Sequence, residues 1–475
     1  ITEVMEIHDT RSRVEHVRRL LDHNDFLLTN PDLFHLMMNF QYGHQAWERK
    51  ELPFEVPANF DYFIFDEFHV FAAPQIASVI NTMLLIRCTN RSKKFLFLSA
   101  TPDEDLILRL RKAGFRCKEI DPRAENKYQF PKTPEQQQQL DAQQWRQVAR
   151  AIQLNFVPLE SGTKASEIWL KENANLILAQ FQEQPGSKGA IILNSIAAVK
   201  RLTQFFQAFL LPYSLTVGEN TGLSGKETRE KSLSTDLVIG TSTIDVGVDF
   251  KINFLFFESS DAGNFIQRLG RLGRHDGYER NGEQINFNEF TAYALIPNFF
   301  VERLFAGESP PLKISESYDR PFFHDTVRDR YRSINDFHGY YARWGAVQSF
   351  RLFWSLGDRT IKQQYSESQE AFRAACEAVF NINPKTMAGR VSGWAKDWKQ
   401  LSGKKDGNPI AEDACSFRGS SPLQCGLYDL TEANEADRFK TYDLSGILGN
   451  LEIELWTEAG FRRSLQETAE RTGKP

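Results

Sequence analysis

Three arginines in the middle of the chain lie three residues apart, with a glycine in each gap: Arg268, Arg271 and Arg274. If this segment opens a helix, the spacing places the three guanidinium groups on one face, and Gly270 and Gly273 let a second backbone approach closely. Guanidinium groups match phosphate oxygens and can stabilise the charge that develops as a γ-phosphoryl group leaves. The pattern favours a polyphosphate site, although the arginines alone also fit a solvated basic helix.

Two adjacent carboxylates directly follow a fully apolar strand pattern, residues 62–65. They are Asp66 and Glu67, and His69 stands two residues further on. Burying both carboxylates would be costly unless a cation or hydrogen bonds compensated them, and Mg²⁺ bound with a nucleotide supplies that charge. We interpret Asp66 as the metal ligand, through water, and Glu67 as the group that orients or deprotonates the attacking water.

Small hydroxyl residues end the next apolar strand pattern, residues 94–98. Ser99, Ala100 and Thr101 follow it directly. Their hydroxyl groups can hydrogen-bond His69 and relay the state of the nucleotide. The alternative is a helix N-cap, for which serine and threonine are common.

Polar residues also end three further predicted strands, at the sheet edge where ligands bind in open parallel sheets. We expect contacts to nucleic-acid phosphates there, in part because a helix start offers free N–H groups to an anion. For the first pair, after a predicted strand at 26–28, a plain strand-to-helix turn fits equally well. The residues are Thr29, Asn30, Asn194, Ser195, Thr241 and Thr243.

A further pair of residues, which follows Thr243 in the sequence, is expected to contact the nucleotide itself. Gly247 and Asp249 stand nearer to the ribose and phosphates of a nucleotide held between two domains.

The composition is that of an ordinary protein of 475 residues, with 25% charged and 41% hydrophobic residues. A net charge of −5 argues against non-specific coating of nucleic acid, so any nucleic-acid contact is a local groove. No apolar run approaches the ~18 residues that span a bilayer, and the start has no signal-peptide pattern. We expect a cytoplasmic protein whose five cysteines are reduced thiols.

The α/β pattern occurs twice along the chain, in residues 1–120 and 167–300. Residues 121–166, rich in Gln and Pro, are predicted to be a linker with a polar helix, although the glutamines alternatively form a recruitment surface. Residues 301–475 are predicted to be linker helices and an α+β accessory domain, including a belt rich in aromatic residues and arginine at 328–354. That belt either stacks bases of a single strand or simply packs the domain.

Taken in this order and spacing, four segments resemble the motifs of superfamily 2 helicases: residues 66–69, 99–101, 241–249 and 267–274. Within that superfamily the chain is most similar to the helicase of type I CRISPR interference, in particular the stand-alone helicase subunit of type I-D systems. The narrower likeness rests on Phe68, on residues 27–32, on the ending at His275 and on residues 417–424. It implies two RecA-like parallel-sheet domains, the first lacking its N-terminal phosphate-loop part, and a C-terminal α+β accessory domain.

The resemblance also implies an activity, cofactors and partners. The activity is ATP-dependent translocation along single-stranded DNA, recruited by an RNA-guided surveillance complex. ATP and Mg²⁺ are the implied cofactors, with Asp66 and Glu67 serving the metal and the water. By position, Arg271 and Arg274 act as arginine fingers and Gln267 contacts the nucleotide.

A nuclease within this chain is not expected. The family's relatives often carry a fused HD nuclease, whereas the three His-Asp dipeptides here, His8-Asp9, His275-Asp276 and His324-Asp325, form no such set. We therefore expect a separate nuclease subunit. The rival hypotheses are a generic RNA helicase and a non-catalytic docking subunit, and the presence of Glu67, Arg271 and Arg274 together speaks against the docking subunit.

No G-x-x-x-x-G-K-[ST] phosphate loop occurs in the 475 residues, and only 65 residues precede Asp66. The loop's N–H cradle and lysine bind the phosphates of ATP in this superfamily. We therefore expect the sequence to be part of a longer protein, inactive as an ATPase without the remainder.

Overall fold

The computed structural model describes most of the chain. The described residues are 10–43, 46–68, 71–89, 93–98, 104–122, 125, 127–129, 131, 133–145, 148–159, 164–244, 250–259, 262–280, 282–305, 311–313, 317–318, 322, 325–326, 337–403, 407–417, 424–432, 434–444, 447 and 453–472. They form two compact units, each built from two stretches of chain. The first unit is Ile1–Ile120 with Asn335–Pro422, and the second is Asp121–Ile334 with Leu423–Pro475.

This division differs from the domain boundaries expected from the sequence. The predicted accessory region, residues 301–475, is divided between the units, because its apolar helices pack on the first unit and its last hairpin packs on the second. The predicted linker is also shorter than 121–166, since a strand at Ile152–Leu159 belongs to the sheet of the second unit. A polar helix does lie in that stretch, at Pro134–Ala142, capped by Thr133.

In the first unit, helices pack against one face of a two-stranded parallel sheet, and the other face is exposed. Strands β1 (Tyr62–Phe65) and β2 (Lys94–Phe97) pair in register, Tyr62 with Lys94 and Phe65 with Phe97. The helices, in chain order, are α1 (Thr10–His23), α2 (Pro31–Met38), α3 (Ala46–Asn59), α4 (Ala73–Thr89), α5 (Glu104–Lys112), and, in the second stretch, α13 (Phe337–Tyr340), α14 (Ala346–Leu356), α15 (Arg359–Gln364), α16 (Ser368–Phe380), α17 (Met387–Ser402) and α18 (Pro409–Ala414).

One predicted strand is absent. The described residues 26–30 belong to no strand, and Phe26 and Leu28 are exposed. The prediction was wrong there, because an apolar run becomes a strand only where a neighbouring strand takes up its backbone hydrogen bonds.

Helix α4 is the centre of the first unit's core, and residues 77–86 are all buried. Polar contacts join it to helices from the second stretch of chain: Ser349 of α14 donates to Asn81 of α4 over 2.7 Å. His35 of α2 is a second link. Its Nε2 donates to the carbonyl oxygen of Cys415 (2.9 Å), and its Nδ1 lies 2.5 Å from Ser78 Oγ. Residues far apart in sequence therefore share one core.

In the second unit, the described strands form a seven-stranded sheet. Its order is β11-β3-β10-β7-β4-β6-β5, parallel except for β11. The strands are β3 (Ile152–Leu159), β4 (Gly189–Ile192), β5 (Val217–Asn220), β6 (Leu237–Gly240), β7 (Phe254–Glu258), β10 (Thr291–Pro297) and β11 (Ser317–Tyr318), with separate hairpins β8 (Gly277–Arg280) with β9 (Glu283–Asn286) and β12 (Gln424–Tyr428) with β13 (Phe439–Asp443).

Two apolar clusters cover the two faces of this sheet. Strands β4 and β6 are therefore buried at every position, as is usual for parallel strands between helices. The unit's helices are α6 (Pro134–Ala142), α7 (Ala165–Glu172), α8 (Ala174–Glu183), α9 (Ile196–Leu210), α10 (Lys226–Ser232), α11 (Ala262–Leu269), α12 (Asn298–Phe305) and α19 (Glu458–Thr472).

A buried ion pair and several hydrogen bonds connect the β12–β13 hairpin to the rest of this unit. Lys200 of α9 lies 3.0 Å from Asp429 and donates to Thr431 over 2.7 Å. The Glu432 carboxylate accepts hydrogen bonds from the Gly225 N–H and the Thr228 hydroxyl, both at 2.8 Å.

The described helices include none that combines the length and apolarity needed to cross a membrane. All five cysteines, each of them described, are thiols outside any disulfide.

Candidate functional site

In the first unit, Asp66 and Glu67 form a short turn at the end of β1. The turn is held at both ends by Leu98, the residue that follows β2: Leu98 N–H donates to Phe65 O, and Phe68 N–H donates to Leu98 O, each over 3.0 Å. Glu67 has φ +50°, a left-handed conformation uncommon for a non-glycine residue. Its N–H donates to Asp66 Oδ1 (2.9 Å). The backbone thus projects two carboxylates while both flanks stay paired.

Phe68 anchors this turn in the core. Its side chain is 8% exposed, and its ring lies edge-on to Phe97, 4.8 Å between centroids, and 5.3 Å from Phe71. The residue after the two carboxylates therefore fixes the position of the turn, whereas Asp66 is exposed and Glu67 half-buried.

The carboxylates fit a magnesium ion that is held jointly with a nucleotide. Within the described ranges, no group of three or more His, Cys, Asp or Glu side chains could hold a metal ion by itself. Mg²⁺ keeps several waters and is usually bound by one or two carboxylates together with substrate phosphates. The exposed Asp66 oxygens at a sheet edge offer such a partial ligand set.

Asn30 is the N-cap of helix α2, and Thr29 directly precedes it. Asn30 Oδ1 accepts from Leu33 N–H over 2.7 Å, and the Thr29 hydroxyl donates to Asn30 O over 3.3 Å. These contacts use the Asn30 carbonyl group and the Thr29 proton within the chain, as a plain turn into a helix would.

In the second unit, Asn194 and Ser195 lie between β4 and α9. Ser195 is the N-cap of α9, and its Oγ accepts from Ala198 N–H (3.3 Å). The hydroxyl proton remains available for a further acceptor. Since α9 has 15 residues, its N-terminus offers N–H groups and the positive end of a helix dipole. This edge is suited to a phosphate.

Arg268 joins that helix start to the arginine segment. Although charged, it is 2% exposed, and its Nη1 donates to Asn194 Oδ1 (2.9 Å) and to Glu258 O (2.6 Å). The Asn194 N–H in turn donates to Glu258 Oε2 (2.6 Å). Arg268, Asn194 and Glu258 therefore form one closed set of hydrogen bonds, which we call the arginine tie.

The arginine segment does not open a helix, so the condition for three arginines on one helical face is not met. Helix α11 ends at Leu269, so Arg268 lies in its last turn, whereas Arg271 and Arg274 follow in turns outside the helix. Arg271 is 5% exposed, and Arg274 is exposed with its Nε donating to Gly270 O (2.6 Å). The helix ends here because residues 270–273 turn, with Gly273 at φ +71°.

The expected close approach of a second backbone at Gly273 is confirmed. A Cβ at this position would stand 3.2 Å from the carbonyl oxygen of Arg150, whose N–H donates to Gly273 O (2.9 Å). Asp276, within the second His-Asp dipeptide, forms an ion pair with the same Arg150. Gln267 is buried on α11.

Thr241 and Thr243 follow β6. Thr241 is buried, and the Thr243 hydroxyl donates to the carbonyl oxygen of Asn220 (2.9 Å). A threonine hydroxyl has one proton, so in this arrangement Thr243 does not also donate to a phosphate. Ser242, between them, is exposed.

The remaining predicted site residues lie outside the described residues: His69, Ser99, Ala100, Thr101, Gly247 and Asp249.

Sequence reasoning missed the roles of Glu258 and Arg268. Glu258 ends an apolar strand, the same signal that singled out Asp66 and Asn194. For Arg268 the sequence gives no signal that separates a buried tie from an exposed phosphate ligand, since both use the same side chain and spacing.

Comparison with known proteins agrees with a helicase-like second unit. Residues 185–277 match the model of the family "CRISPR-associated nuclease/helicase Cas3, C-terminal". No curated protein sequence shows significant similarity to the chain.

Solved structures show partial similarity. They include the DUF1998 helicase MrfA bound to DNA and AMPPNP (14% identity over 61% of this chain and 37% of that chain, TM-score 0.42). A second is the T. fusca Cas3–ATP structure, with 13% identity over 75% of this chain and 41% of that chain and a TM-score of 0.37. A third is a CRISPR RNA-guided surveillance complex in a pre-nicking state, with 14% identity over 74% of this chain and 44% of that chain and a TM-score of 0.36. The chain thus spans less than half of the length of each. The family match shows that residues 185–277 are similar to the C-terminal part of the CRISPR-associated nuclease/helicase Cas3.

Proposed function

We propose that the chain is part of an ATP-dependent, single-stranded DNA translocase of type I-D CRISPR interference, unwinding target DNA for a nuclease on another subunit. The observation that carries the proposal is the arginine tie, which joins a phosphate-suited helix start to the arginine segment. Both ends lie within the residues that match the Cas3 C-terminal family.

On the DNA side, the first-turn N–H groups of α9 and the Ser195 proton meet a backbone phosphate, with Asn194 beside them. Thr241 lies at the same sheet edge, whereas the Thr243 hydroxyl donates to Asn220 O and so gives its proton to no phosphate. Contacts of this kind do not read sequence, as a translocase requires.

On the nucleotide side, Asp66 holds Mg²⁺ and Glu67 orients or deprotonates the attacking water. When bound, ATP supplies the phosphoanhydride bond and Mg²⁺ neutralises its phosphates. Arg271 and Arg274 stabilise the developing charge, and Gln267, Gly247 and Asp249 contact the nucleotide. His69 and residues 99–101 couple the nucleotide to DNA.

The arginine tie supplies a physical route for part of this coupling. Arg271 N–H donates to Arg268 O over 3.0 Å, and the Arg268 side chain donates to Asn194 Oδ1 at the helix start. A shift of Asn194 on DNA binding therefore moves Arg268 and, through one backbone hydrogen bond, Arg271.

The test is ATP hydrolysis by the full-length gene product with single-stranded DNA, single-stranded RNA or neither. We expect stimulation by DNA alone. Glu67→Gln should lower hydrolysis roughly 10²- to 10⁴-fold while ATP and DNA still bind, because the metal ligand remains and water activation fails. Glu279→Gln, an exposed glutamate on β8, is the matched control.

Other outcomes decide between the rival functions. Stimulation by RNA alone would indicate a generic RNA helicase. Undiminished hydrolysis by Glu67→Gln would refute the role of that carboxylate, and binding to the surveillance complex without any hydrolysis would indicate a docking subunit. Loss of plasmid interference in cells carrying type I-D components checks the cellular role.

A further inference from the structure

The first unit carries an open groove of about 610 Å³ lined by aromatic and basic residues. It lies between a π-helical turn, Tyr341–Gly345, and helix α17. The lining residues are Ala342, Arg343, Trp344, Arg390 and Trp394. These five described residues include two tryptophans, two arginines and no carboxylate, in a chain whose net charge is −5.

The two indoles, Trp344 and Trp394, stack on each other, and this stacked pair is called the platform below. Their ring centroids lie 5.7 Å apart with planes inclined by 27°, and both rings are half-buried. The Arg343 guanidinium stands over the Trp344 ring, 5.2 Å from its centroid. Arg390 Nη1 donates to Ala342 O over 3.3 Å, which holds a second cation at the groove while its side chain stays exposed.

The underside of the turn is fixed by the core. Tyr341 is buried, stacks on Phe380 at 3.7 Å, and hydrogen-bonds Ser349 through its hydroxyl. Single π-helical turns are rare and frequently occur at functional sites. Here the turn buries Tyr341 in the core and leaves Trp344 at the groove.

Helix α17 keeps its surface open beside the platform. Arg390 and Trp394 are four residues apart and so share one face. At the residues before them, Gly389 and Gly393, no atom of the described residues lies within 4 Å of the position of an added Cβ. Glycine lowers helix stability, and packing gives no reason for it at these two positions. A flat ring can therefore approach the helix surface closely.

We propose that this groove binds single-stranded nucleic acid, stacking a base on the Trp344–Trp394 platform and pairing Arg343 and Arg390 with the flanking phosphates. Indole faces accept any base, and arginines track the backbone without reading sequence. A duplex does not fit, because its base faces are covered by stacking. The proposal rests on the proposed function, for which the strand is DNA.

The experiment measures binding of the 475-residue chain to labelled oligothymidylate of about 15 nucleotides and to an abasic oligonucleotide of equal length. Trp394→Ala should weaken oligothymidylate binding roughly tenfold and leave abasic binding unchanged, because only stacking is lost. Arg390→Gln should weaken binding to both oligonucleotides and reduce the slope of the logarithm of the binding constant against the logarithm of the salt concentration by about 0.7. Trp354→Ala, a 71% exposed tryptophan outside the groove lining, is the matched control and should change neither.

Two results would overturn the proposal: oligothymidylate binding by Trp394→Ala equal to wild type, or an equal loss on both oligonucleotides. Since Trp394 also packs against the core, Trp394→Phe provides a second variant, which should lose less affinity than the alanine variant. If the wild type binds neither oligonucleotide, the proposed function fails as well. If the full-length gene product keeps DNA-stimulated ATP hydrolysis while the Trp394 variants bind both oligonucleotides as the wild type does, the groove proposal alone fails.

Discussion

In the first unit, Asp66 and Glu67 project from a two-stranded sheet, whereas in the second unit Arg268 and Arg271 are buried beside a seven-stranded sheet covered on both faces. The carboxylates are positioned by backbone hydrogen bonds around Leu98 and by one aromatic anchor. Arg268 is positioned by its own side-chain hydrogen bonds. Replacing a carboxylate should thus have little effect on folding, whereas replacing a buried arginine should lower stability as well.

The largest expected effect is on the finger. Arg271→Ala should lower ATP turnover by the full-length gene product roughly 10³- to 10⁵-fold while leaving ATP binding largely in place, because a finger acts on the transition state. Steady-state turnover with DNA, beside nucleotide binding, measures the two effects separately. Arg280→Ala, an exposed arginine on β8, is the control. Turnover above a tenth of wild type would contradict the finger role.

Removing the arginine tie should affect the fold. Arg268→Ala should lower the free energy of unfolding of the second unit by about 3 kcal/mol, because it leaves the Asn194 side chain and the Glu258 carbonyl without their shared donor. Arg274→Ala, at an exposed position, should cost less than about 1 kcal/mol. Urea denaturation followed by hydrogen exchange in residues 185–277 measures both.

A double variant tests whether the tie acts as one set. Asn194→Ala should cost little more in a chain that already carries Arg268→Ala, since contacting residues couple. Full additivity of the two losses would show that Asn194 and Arg268 act independently.

These contrasts show where sequence reasoning succeeds. The apolar runs at 254–257 and 291–296 lie within one residue of β7 and β10, because strands covered on both faces are continuous apolar runs. Buried periodic elements leave a signal that needs no knowledge of their partners.

The failures come from contacts that only the fold creates. Residues 26–28 have strand composition but gain no neighbouring strand. Arg268 and Arg274 have the same side chain and equivalent spacing, yet one is buried by Asn194 and Glu258 and the other is exposed. The positions of Asp66 and Glu67 at a strand end were predicted, whereas their fixing by Leu98 depends on a partner 30 residues away.

The two units should lose stability at different pH values as the solution is acidified. Burial lowers the pKa of His35 in the first unit from 6.5 to about 4, although the Cys415 carbonyl opposes the shift. The unfolded state therefore binds more protons between those values, so stability present above pH 6.5 is lost as pH falls towards 4. The loss approaches about 3 kcal/mol. Hydrogen exchange in α2 and α4, measured from pH 7 to 4, should reveal it.

The second unit should respond at lower pH. Burial raises the pKa of Asp429, but the contacts of its carboxylate with Thr431 and Lys200 outweigh burial, so this pKa lies below its ordinary value of 3.8. Burial likewise raises the pKa of Glu432, but hydrogen bonds from Gly225 and Thr228 outweigh it, so this pKa lies below 4.5. Stability from these carboxylates is present above those values and lost only below them. His35→Gln should flatten the response of the first unit alone. An unchanged response in that variant would show that another group titrates.

The smallest expected effect concerns the open face of β1 and β2. Ile64 is 50% exposed although its strand is apolar throughout, whereas Ile191 of β4 in the second unit is fully buried. Ile64→Thr should lower the free energy of unfolding by less than about 1 kcal/mol, and Ile191→Thr by about 2–4 kcal/mol, since only the second removes packed atoms and buries a hydroxyl. Threonine keeps the β-branched shape, so strand propensity is matched. Equal losses, measured by denaturation of both variants, would show that further polypeptide covers Ile64 in the protein.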